Sequence, residues 1–288
     1  MSKKAEKTQR EYWGVIDEIR EQQKKMKDMT FKEKLAYFWY YYKVHTIIIL
    51  LVVIFGFSWI YEIATAKDMC FYGIMLNASQ LDGDVMEASF SEYADLDTET
   101  YECFIDTMST LSYQTQTEYD LATYQKMVAL VQTKDLDVMV LDGQVFYNFS
   151  FNGMLLDLRT VMTEEELAAY EGNIYYIDYA AIKEAEAHQD SATTDELMKE
   201  AEERNQATAE EITAEANSHR DPSTMKEPIP VGIFLTDSPF VQKTKAYNTL
   251  IPIYGICATT QRPDISLKYL DYLFDDSIPF EEAIEVWM

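Results

Sequence analysis

Hydrophobic residues fall along this chain as one long unbroken run, followed by short runs at two different periods. The long run is Val44–Tyr61, VHTIIILLVVIFGFSWIY, 18 residues without Asp, Glu, Lys or Arg. As a helix it would span roughly 27 Å at about 1.5 Å per residue, close to the hydrocarbon thickness of a bilayer. Thr30 and Glu33 form a capping box upstream, so one helix is expected to start there and continue into the apolar run. Rings crowd both ends, Tyr37 to Tyr42 on one side and Trp59 and Tyr61 on the other, as interfacial belts would.

Beyond the apolar run the pattern is that of an α/β domain. Strand-like runs are Phe71–Leu76, Tyr101–Met108, Leu136–Leu141, Asn173–Tyr179, Ile229–Leu235 and Ile251–Ala258. Leu136–Leu141 is short and apolar on both faces, as in a buried parallel sheet, and stops at the turn signal Asp142-Gly143. Helical spacing marks Asp84–Tyr93, Glu118–Thr133 and Asp264–Phe274. Thr163 with Glu166 and Thr193 with Glu196 are further capping boxes, the first predicting a helix near Glu164–Glu171. Pro279 suits the first position of a last helix. Ala180–Arg220 is rich in Ala, Glu and Thr and reads as one or two solvated helices with a loose linker, inserted in the fold. Residues 1–30 are charged, with one short stripe of Tyr12, Trp13, Val15, Ile16 and Ile19.

Charge gives the apolar run a direction. Residues 1–43 hold 11 Lys+Arg against 7 Asp+Glu, a net of +4, and the rest of the chain carries −30. The positive-inside rule then puts residues 1–43 in the cytoplasm as a basic helical segment, 44–61 in the membrane, 62–68 as a spacer and 69–288 outside. Ala64-Thr65-Ala66 matches a signal-cleavage pattern, but the head is too long for a signal peptide. Cys70 follows no lipoprotein box. The acidity excludes nucleic acid as a partner and favours solubility or cationic ligands. Cys70, Cys103 and Cys257 are odd in number and widely spaced, so neither a disulfide framework nor a metal motif is indicated.

The stretch Lys134–Leu158, KDLDVMVLDGQVFYNFSFNGMLLDL, resembles the type 2 periplasmic-binding-protein-like fold of bacterial extracellular solute-binding proteins. The matching positions are Asp135, Asp137, Val138, Phe146, Gly153, Leu156, Asp157 and Leu158, then Thr163–Glu166. Val231-Gly232-Ile233, Ile253-Tyr254-Gly255-Ile256 and the Asp264–Phe274 helix extend the likeness over residues 69–288. The resemblance implies a mixed sheet with flanking helices and a non-catalytic binding domain. Its anchor and cytoplasmic head depart from the family's cleaved or lipidated N-termini.

An open α/β sheet binds ligands at its strand ends. The candidates are Asn77 and Ser79 after the first strand, Asp142 and Gln144 after the third, and Thr236, Asp237 and Ser238 after the Ile229 strand. Each is also an ordinary turn residue. His45 lies at the membrane edge, and His188 and His219 lie in the polar insertion, so no nucleophile–base set forms and no cofactor is called for. Asp82/Asp84, Asp95/Asp97 and Asp275/Asp276 lack a calcium-loop pattern. The expectation is a single-pass, membrane-tethered binding or sensing domain taking a small molecule or peptide. The alternative is an envelope assembly factor working through protein contacts.

Overall fold

The computed structural model describes residues 30–65, 67–111, 117–191, 208–247 and 251–284, with Arg20 and Lys24. The stripe at residues 12–19 and the Thr193 box lie outside these residues. The chain forms two compact units, Met1–Ala66 and Lys67–Met288.

In the first unit α1 spans Phe31–Thr65 without a break. Its start is fixed as the sequence indicates: the Thr30 N–H and hydroxyl donate to Glu33 Oε2 at 2.8 and 2.9 Å. Within α1, Tyr42–Tyr61 is long and apolar enough to cross a membrane, by length and composition. Its apolar side chains are exposed around the helix, including Ile49, Phe55, Phe57 and Trp59. An all-round apolar helix needs an apolar surrounding, either a protein core or lipid.

The second unit is a mixed α/β domain around one six-stranded sheet in the order β2-β1-β3-β6-β5-β4. The strands are β1 Asp68–Met75, β2 Tyr101–Asp106, β3 Val138–Asp142, β4 Ile174–Asp178, β5 Pro228–Phe234 and β6 Pro252–Ile256. The β2, β1 and β3 strands run parallel, and β6, β5 and β4 add antiparallel pairs. Between β1 and β2 lies α2 (Gly83–Ala94), and between β2 and β3 lies α3 (Glu118–Thr133). A two-sided capping box between Thr117 and Asp120 starts α3.

Strand alternation sends side chains to two cores. Phe71 and Met75 of β1, with Val138 and Val140 of β3, join Met86 and Phe90 of α2 on one face. Tyr72, Ile74, Met139 and Leu141 join Met127 and Val131 of α3 on the other. On the first face Tyr269 and Tyr272 of α9 (Pro263–Phe274) pack with Phe71 and Phe90, ring centroids 4.8–5.8 Å apart. Such tilted aromatic contacts add to the burial of large apolar area.

Three elements differ from the sequence expectation. Asp142-Gly143 is not a simple turn: α4 (Gly143–Phe151) starts there, directly off β3. Its Phe146 is wholly buried against Gly232 and Gly255, where a Cβ on either glycine would collide with the ring. The aromatic crowding of this stretch hid its helical period. Second, among the described residues Pro279 precedes a 3-10 turn, Phe280–Ala283. Third, the polar insertion is joined to the core at its far end. After α5 (Glu164–Ala168) and α6 (Tyr179–Ser191), α7 (Ala209–Ser218) buries Ala216 against Gly143. His219 then stacks on Tyr175 with ring centroids 4.4 Å apart. The Tyr176 N–H donates to His219 O at 2.9 Å, which covers the outer edge of β4. Arg220 lies over the Phe234 ring and donates to Gly172 O and Asn173 Oδ1. Burial pushes the His219 pKa down, which fits a neutral packing histidine.

Candidate functional site

The register brings every candidate to one end of the strands. Parallel β1 and β3 end together, with Met75 beside Val140. Antiparallel β6 starts there, with Pro252 beside Asp142, and β5 ends there, with Phe234 beside Ile253. The chain leaves β1 for β2 on one side and returns past it to β3 on the other, with α2 and α3 on opposite faces. This reversal makes the C-terminal ends of β1 and β3 the topological switch point of the parallel half.

Two of the seven candidates are engaged in holding the chain. Asn77, at φ 62°, accepts the Leu111 N–H on Oδ1 at 2.9 Å and donates from Nδ2 to Leu111 O at 3.2 Å. It thereby pins the loop after β2. Ser238 is fully buried and caps α8 (Pro239–Thr244), accepting the Val241 N–H at 3.2 Å. Ser79, Thr236 and Asp237 are exposed on turns.

Asp142 and Gln144 stand apart. Asp142 is the residue before α4, only 3% exposed, and neither carboxylate oxygen has a hydrogen-bond partner among the described residues. The Gln144 side-chain oxygen also has none. Burial raises the Asp142 pKa from the ordinary 3.8 to about 7, although the nearby α4 amides pull it down. Those amides lie close enough to favour the charge, yet none makes a capping hydrogen bond to it. No charged side chain enters this balance among the described residues.

Sequence reasoning missed Tyr247, a neighbour of Asp142. It is buried in the loop after α8, its hydroxyl is also unpartnered, and the Asp142 charge helps push its pKa up. By alternation from Val138 and Val140, the Asp142 side chain falls on the same face of the sheet as Tyr247. Tyr247 follows no strand in sequence, so only the fold could reveal it. Nearby, Gln80 Nε2 donates to Lys245 O at 3.3 Å and ties the turn after β1 to the loop before β6.

The opposite end of β3 holds another buried aspartate, Asp137, one of the residues of the family-like motif. It accepts the Tyr72 N–H at 2.9 Å, a hydroxyl from Thr260, and Arg262 Nε at 2.9 and 3.1 Å. Arg262 also donates to Met69 O and Asp135 O. This network joins β1, β3 and the start of α9. Elsewhere, α2 and the edge strand β2 flank an open groove of about 750 Å³. Asp84, Glu87, Glu92, Asp95 and Glu102 line it, with Lys67. Glu87 accepts the outward Ile105 N–H at 2.9 Å, filling in for a missing neighbour strand.

Comparison with protein-family models, curated proteins and solved structures finds no match to this chain.

Proposed function

We propose that the chain is a single-pass, membrane-tethered binding or sensing protein of solute-binding type, without catalytic activity. Tyr42–Tyr61 is the span. The +4 to −30 charge split favours a cytoplasmic head and an extracellular α/β unit. The type 2 periplasmic-binding-protein-like fold is part of this reading, supported by the mixed sheet and the Lys134–Leu158 motif.

The observation that carries the reading is Asp142. A buried carboxylate without partners costs stability, and such cost concentrates where a ligand is to be met. It sits at the switch point, where open α/β sheets bind ligands. The test is a thermal-shift screen of the full-length chain in detergent against amino acids, amines, sugars, peptides and metal salts. A ligand at one hundred times its Kd should stabilise by about 2.7 kcal/mol. No shift with any compound would sink the binding reading.

The second reading is an envelope assembly factor without a small-molecule ligand. The engagement of Asn77 and Ser238 in holding loops favours it, as does the open groove along β2. It predicts an unresponsive melting temperature and recovery of a protein partner.

A further inference from the structure

Resting on the binding reading, we infer that the site at the end of β3 recognises a primary ammonium group, held by Asp142 and Tyr247. The argument is one of donors and acceptors. Among the described residues, both Asp142 oxygens and the Tyr247 hydroxyl are without a partner. Apart from the phenol O–H, all of them accept. A ligand that satisfies them must bring several N–H donors and no lone pair of its own. An ammonium group has three donors and no acceptor, which suits the two Asp142 oxygens and the Tyr247 oxygen. A guanidinium brings five donors in a plane and would leave some buried without acceptors. A carboxylate or phosphate would set lone pairs and charge against Asp142.

Charge points the same way. The chain after residue 43 carries −30, so a cation is drawn to it and an anion repelled. At the site itself no basic side chain competes for Asp142 among the described residues, and Tyr247 is the titratable neighbour. A bound ammonium would supply the missing counter-charge and hold the carboxyl ionised. Ammonium binding below neutral pH therefore releases the proton that burial keeps on Asp142. The ammonium can belong to a free small amine or to a peptide's N-terminus or lysine.

The experiment is titration calorimetry of the full-length chain in detergent at pH 6 and pH 8. The probes are methylammonium, tetramethylammonium and potassium chlorides, followed by Lys-Ala and its N-acetylated form. Methylammonium should bind at least about tenfold more tightly than tetramethylammonium, which has no N–H, or potassium; tenfold corresponds to about 1.4 kcal/mol. At pH 6 the heat should depend on buffer ionisation, reporting proton release that fades at pH 8. Asp142→Asn should cut the affinity by about a hundredfold or more, and Tyr247→Phe severalfold, with the unliganded melting temperature showing that both variants fold. Loss of binding on acetylating Lys-Ala assigns the group to an N-terminus, and retention assigns it to lysine. Equal binding of tetramethylammonium or potassium, or undiminished affinity in Asp142→Asn, overturns the inference. If neutral or anionic compounds shift the melting temperature and methylammonium does not, the binding reading stands and the ammonium assignment falls. If nothing binds, both fall.

Discussion

Strand β3 is flanked by a buried aspartate at each end, and the two have opposite surroundings. Asp137 enters the strand fully buried and meets three donating groups, including the Arg262 guanidinium. Asp142 ends the strand almost as deeply buried and, among the described residues, has only the α4 amides nearby, none in a capping hydrogen bond. Burial raises both pKa values, but at Asp137 the donors and Arg262 work against it. The difference shows what each end of the sheet is for. The Asp137 end ties β1, β3 and α9 into one body. The Asp142 end carries a cost that the α4 amides offset only in part.

Removing the partner of the satisfied aspartate should make the two ends alike. Arg262→Ala leaves Asp137 buried without a cation and should destabilise by about 3–5 kcal/mol, read as a fall in the urea midpoint. An effect below about 1 kcal/mol would show that Asp137 is not held by that pair.

The converse change removes the unsatisfied charge. The folded Asp142 carboxyl titrates near 7 and its unfolded form near 3.8, so the folded state binds the extra proton between those values. This contribution is fully present below pH 4 and lost as the pH rises through 7. The span corresponds to an order of about 4 kcal/mol at most. Asp142→Asn should therefore be more stable than the parent by about 2–4 kcal/mol at pH 8 and equal to it near pH 4. Chemical denaturation at both values checks this, and a stability difference independent of pH would contradict it.

Two smaller changes sharpen the contrast. Thr260→Val takes one donor from Asp137 but leaves Arg262, and should cost roughly 1.5 kcal/mol. Ser238→Ala, at the Asp142 edge, should cost about 1 kcal/mol through the lost cap of α8 while leaving ligand-induced thermal shifts unchanged. A Ser238→Ala variant that folds normally but no longer responds to ligand would return this serine to the binding surface.

Much of this frame was legible in the residues because the signals were local. The strands at Phe71, Leu136, Ile229 and Ile251, and the helices at Glu118 and Asp264, follow from period and length. Thr30 and Thr163 cap as their spacing to a glutamate three residues on implies. What stayed hidden is non-local. Arg262 meets Asp137 across 125 residues, and Tyr247 nears Asp142 only because β6 turns back beside β3. The start of α4 was masked because Asp-Gly is common in turns, and the close approach of Ala216 that Gly143 admits is a contact between distant segments. Asn77 and Asp142 looked equivalent as strand-end polar residues. Only the hydrogen-bond partners separate the one that is spent from the one that is not.

The most direct measurement is an NMR titration of the Asp142 side-chain carboxyl in the full-length chain, assigned by loss of its signal in Asp142→Asn. The resonance should titrate near pH 7 in the unliganded protein, as a buried carboxylate without partners must. Titration near 4 would mean that Asp142 already has its partner or its water, and the contrast between the two ends of β3 would fail.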